Sequence, residues 1–344
     1  MKAAIFQGFG KPHKIETIAE PEPGESEVVL KIERSGVCGS DIAMTKPRGD
    51  AAPIGDVEAM FAPGAVLGHE YAGEVVALGK NVQRLKLGDR VAPMYFSGCG
   101  RCLHCIAGKP NWCHEVRGRM GGFAQYGIAH ENSSVRLPQA LSYDEGALIE
   151  PLSSSFHAVV SAPVTPGARV LVLGSGAIGM GVIYFARRVG AGRIVAVSRG
   201  DTRREMALAM GADHYLTQRE TLADEAATLL NGPPDIVFDT AGVAGVLNQA
   251  LGCVRPEGTV VVAGMPLPPD PDFHVAAMMK CLRVHYSMAY ELHDFQIVAD
   301  LLAQPGTPLK NMVTDWSSLE NFPDAFEALR TRTTQLKLML RPWQ

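Results

Sequence analysis

The stretch "ARVLVLGSGAIGMGVIYFARR" constrains the fold more than any other part of the chain. An apolar run over 168–174 enters a turn holding Gly174, Gly176 and Gly179, and an amphipathic stretch over 177–190 follows. The first glycine makes the tight turn and the second lets backbone approach a pyrophosphate. The third packs helix on strand, with the helix N-terminus facing the anion. Ala177 and Ile178 lie between the second and third glycines. Glycine-rich turns also simply connect elements, so the setting between a strand and a helix gives this one its weight. Apolar runs at 193–198, 234–242 and 258–265 alternate with helical stretches near 202–211, 219–230 and 244–254. That alternation predicts an α/β, doubly wound parallel sheet covered on both faces.

A chain of 344 residues is too long for one ordinary core. Its first part has another texture: short β-rich runs (Val28–Ile32, Gly73–Leu78, Arg90–Met94) between Gly/Pro-rich turns. These predict an antiparallel, barrel-like domain. The expected division is 152–288 for the dinucleotide domain, and 1–151 with 289–344 for the β domain. The tail is read as helical, then β-like over 335–341. Residues 46–68 show no firm periodicity and could edge an active site. A formal net charge of -4 argues against a nucleic-acid partner. No apolar run reaches the ~20 residues of a membrane span. The N-terminus lacks an apolar signal-peptide core, so a cytoplasmic protein is expected.

Seven cysteines in such a chain argue against a disulfide framework. Cys99, Cys102, Cys105 and Cys113 follow C-x2-C-x2-C-x7-C, a spacing that can close a tetrahedral thiolate shell around a structural zinc. His104 and His114 in that stretch are read as outside the shell. Cys38 in "SGVCGSDIA", His69 in "LGHEYAGEVV" and Glu150 in "ALIEPLSSS" are each weak signals. Alone they read as a small core residue, a satisfied histidine and a turn residue. Together they offer three ligands and a fourth, open position, as catalytic zinc requires.

The acid expected on the adenosine ribose falls about 20 residues beyond the glycine turn. Ser198 stands there, 19 positions after Gly179, and Arg199 and Arg203 follow. A serine removes the repulsion a carboxylate would exert on a 2′-phosphate, and arginine forks suit phosphate geometry. NADP(H) is therefore favoured, with NAD(H) as the alternative. The bland reading of the arginines is a solvated helix start.

The ordered set GVCGSD, GHEYAGEV, GDRV, the four-cysteine loop, GGFAQY, EPLS and GSGAIG resembles the zinc-containing medium-chain dehydrogenase/reductase (alcohol dehydrogenase) family. The EPLS form is similar to its polyol, threonine and butanediol dehydrogenase branch. The resemblance implies a GroES-like catalytic domain, a Rossmann domain, two zinc ions per chain and a homotetramer or homodimer. It implies an oxidoreductase moving a hydride between the nicotinamide and a secondary alcohol, polyol or ketone. Cys38 and His69 become catalytic zinc ligands, with Glu150 binding directly or through water and Glu70 entering during water exchange. Asp41 becomes the support of His69, Ser40 the hydroxyl taking the substrate proton, and Tyr95 a wall of the substrate pocket. Met44, Met94 and Phe96 would make that pocket fairly apolar. Two departures stand out: Ala43 replaces the family's proton-relaying histidine, and His69 follows Cys38 by 31 positions, a long gap. The rivals are an NAD-dependent sugar-alcohol or amino-alcohol dehydrogenase and a non-catalytic NADPH-binding sensor.

Overall fold

A computed structural model describes residues 1–47, 61–265, 275–331 and 334–344. Residues 48–60, most of the aperiodic 46–68 segment, thus lie outside the described residues. The chain forms two compact units, Met1–Pro151 with Glu291–Gln344, and Leu152–Tyr290.

The strand Glu27–Gly36 organises the first unit. It pairs antiparallel with Glu70–Leu78, with Tyr126–His130 and with Lys337–Arg341 from the tail. Arg90–Pro93 and Ser134–Arg136 extend the sheet on one side, and Val313–Ser318 extends it beyond Lys337–Arg341. Alternating Val28, Leu30 and Ile32 point inward with Tyr71, Val75 and Val91, as period-2 patterning requires. The predicted β texture is thus present. The strand Val313–Ser318 was not anticipated, because its sequence VTDWSS carries too few apolar residues to stand out. The pairing also brings the tail within reach of Gly36, which faces Glu70 on one side and Met339 on the other.

In the second unit six strands are all parallel. Their order is His214–Thr217, Arg193–Ser198, Arg169–Leu173, Ile236–Asp239, Thr259–Val262 and Arg283–Tyr286. Val195, Val197, Leu171, Leu173, Val237 and Val260 form its core with Ala226, Leu230 and Leu251 from the covering helices. The helices Ala177–Arg188, Leu222–Leu230 and Val246–Cys253 fall where the alternation placed them. Two strands escaped the sequence reading. His214–Thr217 (HYLT) and Arg283–Tyr286 (RVHY) are short and half polar because they form the sheet edges. Arg169–Leu173 lies where strand order reverses, so its glycine turn opens at the switch point at which such sheets take ligands.

His13 sits inside the first unit, 4% exposed, among Phe6, Phe123, Phe322 and Phe326, with ring centroids 4.5–6.2 Å away. Neither ring nitrogen has a hydrogen-bond partner. Burial, opposed by Asp41 and Glu327 and aided by Arg330, pushes its pKa down from 6.5 to about 4. Between those values the unfolded chain binds the proton and the folded chain does not. Stability is therefore complete above pH 6.5 and is lost as pH falls toward 4. Replacing His13 by Phe should remove roughly 2 kcal/mol of the stability difference between pH 7 and pH 4.5, read from urea unfolding at both pH values. An unchanged difference would contradict this.

Candidate metal and dinucleotide sites

Val37 follows the strand Glu27–Gly36, and Cys38 then caps the short helix Gly39–Met44. One Asp41 oxygen accepts the Cys38 N–H at 3.0 Å, and its other oxygen stands 3.5 Å from His69 Nδ1. Asp41, fully buried, thus ties the two proposed ligand positions together. At the far end of the helix Arg330 donates to the Ile42 carbonyl at 3.1 Å and to Thr45 Oγ1 at 3.1 Å, and Glu327 holds its guanidinium at 2.7 Å. The helix that carries Cys38, Ser40 and Asp41 is so anchored at both ends.

The ligand atoms of Cys38, His69 and Glu70 lie within 4.8 Å of one another. Burial works against a proton on His69. The Asp41 carboxylate, the Cys38 sulfur and Glu150 outweigh it and raise the pKa well above the ordinary histidine value. His69 Nδ1 and Asp41 Oδ1 are buried without a hydrogen-bond partner. A thiol, an imidazole and a carboxylate packed this closely, in surroundings that strongly favour positive charge, fit a divalent cation. Glu150 is buried and its charge acts on His69, Tyr95 and Lys337, but its carboxylate stands outside the three-donor cluster.

Ser40 is half-buried in the first turn of the helix, and Ala43 one turn on offers no titratable group. The Tyr95 ring lies edge-on to His69 at 5.6 Å and to Phe96 at 4.4 Å. Burial raises the Tyr95 pKa. Met44 and Met94 are buried, 3% and 2% exposed. Lys337 was not foreseen: it is buried and donates to both Glu70 oxygens, at 2.7 and 2.6 Å. The signal was available, since one lysine interrupts the apolar run "KLML".

The four sulfurs of Cys99, Cys102, Cys105 and Cys113 lie within 4.8 Å of one another, and none is in a disulfide. Cys113 Sγ accepts the backbone N–H groups of Cys99 and Glu115, each at 3.3 Å. The Arg101 and Cys102 amides pull the Cys99 thiol down to about 6. Burial pushes Cys105 up to about 12. Four sulfurs this close to one another suit a shared cation, which removes their protons together. His104 and His114, with rings 6.3 Å apart, are not in the donor set.

Gly174 has a φ of 105°, and a Cβ there would meet the Ala241 nitrogen at 2.9 Å, so glycine is required. At Gly176, the N-cap of the helix Ala177–Arg188, a Cβ would have only Arg203 Nη1 nearby, at 3.8 Å. The backbone N–H groups of Ala177 and Ile178 begin that helix, and the space before them fits an anion. Ser198 ends its strand, and Arg199 is exposed just beyond it. Arg203 donates to the Ser175 carbonyl at 2.9 Å, so it braces the turn itself. Arg204 pairs with Asp201 at 2.6 Å and lies over the Tyr215 ring, which is the solvated-helix-start role weighed for these arginines.

Comparison with known proteins agrees with this geometry. The chain matches the alcohol dehydrogenase GroES-like domain over residues 24–139 and the zinc-binding dehydrogenase family over residues 177–304. It is 34% identical to sorbitol dehydrogenase of Bacillus subtilis, over 99% of this chain and 97% of that one. The crystal structure of 2R,3R-butanediol dehydrogenase from Bacillus subtilis superposes with a TM-score of 0.84 at 28% identity, covering 99% of both chains. A zinc-binding dehydrogenase from Sinorhizobium meliloti 1021, bound to NADP, superposes with a TM-score of 0.83 at 28% identity, again covering 99% of both. Among the described residues no helix is long and apolar enough to cross a membrane.

Replacing Cys102 by Ser removes one donor from the four-sulfur loop. The melting temperature should fall by roughly 10 °C, since a bound structural metal contributes several kcal/mol. The same change at exposed Cys281, outside the cluster, should leave it unmoved. Equal melting temperatures for the two variants would refute a structural metal.

Proposed function

The chain belongs to the zinc-type alcohol dehydrogenase family, and from that premise we propose that it interconverts a secondary alcohol or polyol and its ketone, with NADP(H) preferred. The observation that carries the metal part is the clustered donor set of Cys38, His69 and Glu70. In this reading each chain takes two zinc ions, one at that set and one at the four cysteines. A secondary alcohol and NADP+ give a ketone, NADPH and a proton. When bound, the zinc is a Lewis acid toward the substrate oxygen and the nicotinamide exchanges the hydride.

The chain's own residues do the rest. Cys38 and His69 hold the metal, with Glu150 as the third ligand, directly or through water. Asp41, 3.5 Å from His69 Nδ1, stands where it can favour the tautomer that leaves Nε2 for the metal. Ser40 takes the hydroxyl proton, which leaves by a route other than Ala43, through water, the nicotinamide ribose or another side chain. Tyr95 and Phe96 give the pocket an apolar edge beside His69. The substrate class follows the relatives: their names, sorbitol and butanediol dehydrogenase, describe alcohols with neighbouring hydroxyls. A small-molecule substrate and a homotetramer or homodimer complete the proposal.

The dinucleotide binds at Gly174, Gly176, Ala177, Ile178 and Gly179, with its adenosine ribose toward Ser198 and Arg199. Arg199 reads the 2′-phosphate, and Arg203 stabilises the turn on which the pyrophosphate rests. Arg199→Ala should lower kcat/KM for NADP(H) by about tenfold to a hundredfold, the worth of one charged hydrogen bond, and leave NAD(H) little changed. A wild-type preference for NAD(H) in side-by-side kinetics would sink the NADP reading. Cys38→Ser should abolish turnover while NADPH titration still shows dinucleotide binding. Retained turnover would refute the role of Cys38.

A further inference from the structure

Glu70 and Lys337 form a fully buried ion pair, 0% and 2% exposed. The three N–H groups of the ammonium are all placed: two on the Glu70 oxygens and one on the Val37 carbonyl at 3.1 Å. The pair meets across Gly36, where a Cβ would fall 2.4 Å from Glu70 Oε2 and 3.3 Å from Lys337 Cδ. A carboxylate that is also one of three clustered metal donors is thus clamped by a cation from the end of the chain. That cation also grips the peptide just before Cys38.

We infer that Lys337 is a positioning residue that withholds Glu70 from the metal and sets how readily the carboxylate moves onto it. The inference rests on the reading of Cys38 and His69 as metal ligands. Charge explains the arrangement. Cys38, Asp41, Glu70 and Glu150 bring four negative charges to this region, and a divalent ion with one ammonium would offset three of them. Without the ammonium, Glu70 is a buried anion that the metal can compensate, and a buried unpaired charge is strongly unfavourable. The carboxylate then takes the place that substrate needs. Lys337 therefore keeps the metal both exchangeable and open.

The test is the rate at which a chelator strips metal from the full chain, with Cys38→Ser identifying which metal belongs to this site. Lys337→Met should slow release from the Cys38 site about tenfold and lower kcat, because Glu70 becomes a permanent ligand. Lys337→Arg should release metal near the wild-type rate, and the double variant E70Q/K337M should return to it. Lys337→Gln keeps one N–H for Glu70 and should slow release by less; it carries the test if K337M does not fold. A merely structural lysine would make release faster on removal. Unchanged or faster release in K337M and K337Q overturns the inference. If Cys38→Ser leaves every bound metal in place, the metal reading of the site fails, and the inference with it.

Discussion

The structure of the first unit depends on a concentration of charge that apolar packing alone would not tolerate. Cys38, His69 and Glu70 converge within 4.8 Å, Glu70 buried and the other two half-buried, with Asp41 and Glu150 acting on the same imidazole. Close anionic donors in low dielectric repel one another unless a cation lies among them. The surrounding fold answers that demand. Lys337 arrives from the tail strand, Gly36 gives up its side chain to make room, and Asp41 bridges the two loops that supply the ligands.

The same logic separates the two cysteine settings. The loop of Cys99 to Cys113 offers four sulfurs and nothing else, so any cation it holds is enclosed by protein and its work is to shape the loop. The Cys38 cluster mixes sulfur, nitrogen and oxygen, and its oxygen donor is already committed to an ammonium. In the proposed reading, a site whose ligands are partly engaged elsewhere can leave a coordination position open for substrate, as a catalytic metal requires.

In the second unit the constraint is backbone geometry. The turn at Gly174 needs a left-handed residue, and among the described residues a Cβ at Gly176 would have the Arg203 guanidinium as its close side-chain neighbour, at 3.8 Å. Arg203 is tied to the Ser175 carbonyl and holds the turn from outside. The arginines after Ser198 therefore divide their labour: Arg204 is bound up with Asp201 and Tyr215, Arg203 with the turn, and Arg199 stands exposed at the strand end.

Much of this was legible in the sequence. Period-2 and continuous apolar runs marked the central strands, because burial on one or both faces leaves that imprint. The glycine spacing marked the turn, because only glycine accepts its geometry. The cysteine spacing marked the sulfur loop, because four donors on so short a segment are forced together. The edge strands His214–Thr217, Arg283–Tyr286 and Val313–Ser318 left no such imprint, being half exposed and partly polar. What only the tertiary structure decided is which distant residues meet. Lys337 and Glu70 lie 267 positions apart, and Arg330 and Ile42 288 apart, so no local pattern relates them. Their contact is set by the register of Lys337–Arg341 against Glu27–Gly36, a choice made by the packing of the whole unit.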